Sequence, residues 1–148
     1  MNNDLMFSSK KDNWETPQAL FDELNKEFHF TLDAAATEKN TKCDKFLGKG
    51  FKSDSLTMKW YGNVFLNPPY GTQVGRFVKK AYDEYVDGNV HLVVMLLPAR
   101  TDTKWFHDYI YQKDFARIRF LKGRLKFEVN GVPCENAAPF PSMIVVYR

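Results

Sequence analysis

Asn67, Pro68, Pro69 and Tyr70 follow directly on the apolar run Val64-Phe65-Leu66, and Gly71 closes the stretch. Two prolines in succession remove two backbone donors and fix φ, so neither a central strand nor a helix continues through them. The residue ahead of each proline is driven toward extended conformations. Asn67-Pro68-Pro69 is therefore stiff, and its side-chain amide and carbonyl oxygens point in set directions. That suits a site that must hold something still. A second group with chemical content lies further on. Residues 113–126 carry six Lys or Arg (113, 117, 119, 122, 124 and 126) against one acid, Asp114. The alternation Arg117-Ile118-Arg119-Phe120 equally describes a half-buried strand with a solvated face, but Lys122-Gly123-Arg124 in a turn suits phosphate contact. His29, His91 and His107 have no ligand spacing, and Cys43 and Cys134 form no Cys-x-x-Cys pair, so no metal is expected.

The elements that must position these residues follow from pattern. The 148 residues, 44% hydrophobic and 26% charged, describe one globular domain with a real core. Aromatic residues make up 16%, enough for some rings to face a flat ligand, while the net charge of +3 argues only weakly for a polyanion. No apolar run approaches the roughly 20 residues of a membrane span. The polar start is not expected to be a signal peptide, and the isolated cysteines fit a reducing cytoplasm. Residues 1–13 are expected to be a loose N-terminus and 14–148 a single domain. Thr16-Pro17 reads as a helix start, with Thr as N-cap and Pro at the first helical position. Leu20, Leu24 and Phe28 give that helix one apolar face. Phe30-Thr31-Leu32 reads as a short strand ending at Asp33, and Gly48 and Gly50 mark turns in the unassigned stretch 37–59.

Val64-Phe65-Leu66 is a buried strand, and Val74, Phe77, Val78, Ala81, Tyr82 and Tyr85 recur at helical spacing. After Asp87-Gly88, Val90 to Leu97 is a continuous apolar strand buried on both faces. Asp102 is placed to cap a helix carrying Phe106, Tyr109 and Ile110. Residues 116–121 and 143–147 are strand-like, and 122–142 between them is an irregular insertion. Helices alternating with apolar strands indicate an α/β fold with a mostly parallel sheet and an antiparallel end. Ligands of such sheets bind beyond the carboxyl ends of the strands, where Asp33, Asn67 and Pro98 fall.

A strand ending in Asn-Pro-Pro-Tyr resembles the catalytic motif of amino-methyltransferases that use S-adenosylmethionine. Together, WETP (14–17), LDAAA (32–36), NPPYG (67–71), LLPARTDTKWFH (96–107), FLKGRLKF (120–127) and APFPS (138–142) resemble the phage-type DNA N-6-adenine methyltransferase (Dam-like) family. The resemblance implies a Rossmann-like class I methyltransferase fold, with helices on both faces of the sheet and no separate target-recognition domain. It implies a reaction that transfers a methyl group from S-adenosylmethionine to the exocyclic amine of a flipped adenine in DNA. An aryl amine is a poor nucleophile because its lone pair is delocalised into the ring. The Asn67 side-chain oxygen and the Pro68 carbonyl would accept both amine hydrogens, favour a pyramidal nitrogen and stabilise the developing charge. Pro69 stiffens this clamp, and Tyr70 would stack on the extruded base.

By the same resemblance the methyl donor meets Trp14, Thr16 and Pro17, then Asp33 with Ala34 and Ala35, and also Asn67. Asp54, ahead of Ser55-Leu56, resembles the acid that accepts from the donor's adenine amine, with Leu56 beside it. Here the sequence departs from the common pattern: Ala34-Ala35-Ala36-Thr37 stands where a glycine-rich turn is usual. DNA would meet Tyr70, Lys122, Arg124 and Lys126, with Arg100 and Lys104 as a second backbone contact. The same clamp also serves cytosine N4 and protein glutamine amides, and a non-catalytic DNA-binding remnant of the fold is a further alternative. The sequence leaves the oligomeric state open, a monomer included.

Overall fold

The computed structural model describes residues 14–37, 40–48 and 54–148. The expected loose start at 1–13 and the turn at Gly50 lie outside them. Helix α1 (Gln18–Phe28) buries Phe21, Leu24 and Phe28 on one face and ends at His29 in the left-handed region. Strand β1 (Leu32–Asp33) is shorter than the expected 30–32 and sits two residues later. Strand β2 is Gly62–Leu66, helix α2 Val74–Val86, strand β3 Val90–Pro98 and helix α3 Lys104–Tyr109. Strand β4 (Ala116–Phe120) is followed by two-residue strands β5 (Glu128–Val129) and β6 (Val132–Pro133), and by β7 (Ser142–Tyr147).

Five strands form a mixed sheet in the order β1-β2-β3-β7-β4, with β1, β2 and β3 parallel and β7 antiparallel to both its neighbours. Four strands thus point one way and β7 the other, so the sheet is mixed, with the antiparallel strand expected at the end of the pattern. β5 and β6 form a separate hairpin. Strand side chains alternate between faces. The face of Phe65, Val94 and Val146 takes α1: the Phe21 ring lies 5.1 Å from Phe65. On the same face Arg119 makes a two-point ion pair with Glu27 of α1, at 2.8 and 2.6 Å. The opposite face takes α2, whose Tyr82 and Tyr85 rings lie 6.5 and 5.8 Å from Tyr147. Helix α3 packs on α2 through Tyr82 and Tyr109.

Two expected caps are corrected. Pro17, not Thr16, occupies the N-cap of α1, and its carbonyl accepts the first helical bond from Phe21. The Glu128 carboxylate supplies the missing acceptor for Gln18 N–H from the far end of the chain. At α3 the cap is Thr103, whose hydroxyl accepts from Phe106 N–H, rather than Asp102 one residue earlier. The stretch 122–142 is also less irregular than expected. Asn130 and Gly131 both have positive φ, 54° and 78°, and turn β5 into β6. Asn-Gly between valines is the local signal for such a hairpin.

Candidate active site

At the carboxyl ends of the parallel strands, three short segments converge. The chain leaving β1 is pinned on both sides: Ala34 N–H donates to the Phe65 carbonyl, and residues 45–47 run alongside Asp33 to Ala36. The chain leaving β2 is the rigid Asn67-Pro68-Pro69. Trp14, Glu15 and Thr16, just ahead of α1, form the third wall. Between them lies a cavity of about 200 Å³, lined by residues of all three segments, Asp33, Asn67 and Thr16 included.

Asn67 has a defined orientation there. Its Nδ2 donates to the Trp14 carbonyl at 3.2 Å and to Thr16 Oγ1 at 3.1 Å. Its Oδ1 is buried and has no hydrogen-bond partner among the described residues. The amide is therefore anchored by its nitrogen and keeps a free acceptor at the cavity wall. Asp33 is 4% exposed, and its carboxylate accepts from Lys42 N–H at 3.0 Å and Ala35 N–H at 3.4 Å. Burial pushes its pKa up from the ordinary 3.8 to about 6, against the lowering effect of those two N–H groups.

Tyr70, at 5% exposure, is packed edge-on among Trp14, Phe127 and Phe140 with ring centroids 5.4–5.6 Å apart. Burial raises its hydroxyl pKa, so it stays protonated, and it reaches toward the Leu96 carbonyl. The ring cluster lends Trp14 to the first cavity. It lends Tyr70 and Phe140 to a second one of about 270 Å³, where Arg100 and Trp105 also lie.

Most of the expected donor residues come together here, with differences. Trp14, Thr16, Asp33, Ala35 and Asn67 line the first cavity, and Pro68 and Pro69 complete its rim. Pro17 caps α1 instead, and Ala34 is fully buried beside β2. Asp54 caps its own turn by accepting from Leu56 N–H, and the residue of that stretch on the cavity wall is Ser55. Its hydroxyl is buried with no partner among the described residues. Ser55, Lys42 and Phe77 escaped the sequence reading. A small polar residue between two named candidates was the available sign for Ser55; nothing local pointed to Lys42 or Phe77.

The basic run divides in the structure. Arg119 is committed to Glu27, and Lys113 lies over the Tyr82 ring at 5.8 Å. Lys122, Arg124 and Lys126 are exposed and pair with no carboxylate among the described residues. Lys126 leads directly into Phe127, which stacks on Trp14 at 5.4 Å. Arg100 is exposed at the second cavity, and Lys104 is paired with Asp108. Among the described residues no cluster of His, Cys, Asp or Glu is arranged to hold a metal, and no helix is long and apolar enough to cross a membrane.

The family model for DNA N-6-adenine-methyltransferase (Dam) matches residues 5–148. The DNA N-6-adenine-methyltransferase of Escherichia phage T1 is 33% identical over 125 residues, covering 82% of this chain and 49% of that protein. The chain thus spans about half the length of the curated relative it matches. A match over nearly the whole chain, on a mixed α/β sheet whose strand ends gather Asp33 and Asn67-Pro68-Pro69-Tyr70, establishes the kinship: the chain belongs to the DNA N-6-adenine-methyltransferase (Dam) family.

Proposed function

We propose that the chain transfers a methyl group from S-adenosylmethionine to N6 of an adenine in DNA, on a single Rossmann-like methyltransferase domain spanning residues 14–148. The observation that carries this reading is the Asn67 amide, anchored by both N–H groups while Oδ1 stays buried and without a partner among the described residues. A buried acceptor without a donor costs about 1–3 kcal/mol, and an amine hydrogen arriving at Oδ1 would remove that cost. Stabilisation of this kind grows as the nitrogen becomes positive, so it favours the transition state over the bound substrate.

The first cavity suits the donor. The Asp33 carboxylate offers a buried anionic partner for its ammonium group, and Ser55 Oγ, without a partner among the described residues, offers a hydroxyl for its polar nucleoside end. The donor supplies a methyl already activated on a sulfonium, so the protein's task is placement. Tyr70 does not serve as a base, because burial keeps its hydroxyl protonated. Its part is to face the extruded adenine, and the cluster of Trp14, Tyr70, Phe127 and Phe140 must open to admit the base. Extruding a base costs a few kcal/mol, which ring stacking partly offsets. Lys122, Arg124 and Lys126 would meet the phosphates beside this entrance, with Arg100 across the second cavity.

The test is direct. DNA incubated with the protein and S-adenosylmethionine should acquire N6-methyladenine on sequencing. Asn67→Ala should lower turnover about a hundredfold, since losing one such acceptor costs on the order of 3 kcal/mol, with donor affinity within a few-fold. Retention of more than about a tenth of wild-type turnover would overturn the role given to Asn67. Methylated cytosine or peptide amide instead of adenine would move the substrate, not the clamp.

A further inference from the structure

We infer that Thr16 is a positioning residue for methyl transfer: its hydroxyl sets the plane of the Asn67 amide and so aims Oδ1 at the reacting amine. The inference rests on the reading of Asn67 as the amine acceptor, and goes beyond it by assigning what holds that acceptor in place. An asparagine amide has an accepting end and a donating end of nearly equal size, and rotation about χ2 exchanges them. At Asn67 one group opposes that exchange and a second limits the tilt of the amide. The Trp14 carbonyl can only accept, so it decides which end of the amide faces it. It cannot by itself hold the plane, since one hydrogen bond leaves the amide free to rock about that contact. Thr16 Oγ1, at 3.1 Å, takes the second N–H and closes the remaining freedom.

Thr16 is itself well held. It is 2% exposed and sits between the N-cap Pro17 and Glu15. Glu15 exchanges two backbone hydrogen bonds with Glu128, at 2.8 and 3.0 Å, and its carboxylate takes the N–H groups of Asn130 and Gly131 at the β5–β6 turn. The backbone on either side of Thr16 is thus held by elements distant in sequence. It is also not used as a helix cap, the ordinary employment of a threonine ahead of a proline at a helix start. Rigid support of this sort is what a geometry-sensitive acceptor needs, because displacements near 1 Å can cost about a hundredfold in rate.

Because Thr16 also lines the donor cavity, the experiment must separate holding Asn67 from touching the donor. Thr16→Val keeps the shape and removes the oxygen, Thr16→Ser keeps the oxygen, and Thr16→Ala removes it with less demand on packing should the valine fail to fold. Thermal melts establish folding, calorimetry with S-adenosylmethionine gives donor affinity, and single-turnover methylation of adenine-containing DNA gives the rate. The expected result is a rate about ten- to a hundredfold lower in Val and Ala, a donor Kd within about threefold of wild type, and a Ser variant within about threefold of the wild-type rate.

A Val and Ala rate within twofold of wild type overturns the inference. So does a Kd loss that accounts for the whole effect, or a Ser variant as slow as Val. If Asn67→Ala is inactive while Thr16→Val is fully active, the positioning role falls and the acceptor role stands. If Asn67→Ala is active, the acceptor role itself falls.

Discussion

Asp33→Asn should change how the stability of the protein responds to pH, by an amount that the structure sets. The wild-type carboxyl lies 4% exposed at the end of β1 and is pushed by burial from 3.8 to about 6. At about 1.4 kcal/mol per pH unit, ionising it in the folded chain costs roughly 3 kcal/mol more than in the unfolded chain. A raised folded-state pKa means that the folded protein holds the proton more tightly. Its contribution is therefore fully present below about pH 4, and is lost as pH rises through about 6. Between pH 4.5 and 7.5 wild type should lose about 2 kcal/mol relative to Asp33→Asn, the rest of the change falling at lower pH.

Asparagine carries no charge to titrate, so the variant subtracts every other ionising group; a constant offset from altered hydrogen bonds to Lys42 and Ala35 does not affect the slope. Urea unfolding of both proteins at several pH values reads the difference. Parallel curves, within about 0.5 kcal/mol across that range, would refute the claim that Asp33 is held in a strongly desolvated site. Under the donor reading, affinity for S-adenosylmethionine should also strengthen as wild type passes pH 6, and not in the variant.

Two further outcomes follow from the surroundings of the site. Lys122→Ala with Arg124→Ala should weaken DNA binding across all sequences and flatten its log–log salt dependence by up to about two units, with donor affinity nearly unchanged; an unaltered slope in a folded variant would move the phosphate contact to Arg100 and Lys104. Glu15→Ala removes the acceptor of two N–H groups at the β5–β6 turn, both at 3.0 Å, and should cost about 1–2 kcal/mol for a partly solvated carboxylate. A melting temperature within a degree of wild type would mean that the backbone bonds between residues 15 and 128 hold the hairpin without the carboxylate.

The sequence by itself determined most of the elements and their order, while the β5–β6 hairpin, expected as irregular chain, came only with the fold. Val64-Phe65-Leu66 and the run from Val90 are apolar enough to be strands only inside a sheet, and the prolines after Leu66 end β2 by covalent constraint. Such features act over a few residues, so a linear pattern suffices to read them. It also placed Asp33 and Asn67 at strand ends, since a parallel sheet sends both the same way.

What only the tertiary structure decided is which partner each polar group takes. Thr16 in isolation has the makings of a helix cap; in the fold its oxygen meets Asn67, 51 positions away. Arg119 belongs to a basic run in the sequence, yet it pairs with Glu27 because β4 lies over the end of α1 on the same face of the sheet. Glu128 and Glu15, more than a hundred residues apart, together hold the start of α1 and the hairpin. Hydrogen bonds act over about 3 Å, so their partners depend on how the sheet brings distant segments side by side. The free oxygen of Asn67 is such a case: the motif supplies the amide, and the folded chain, by occupying its nitrogen, leaves the oxygen available.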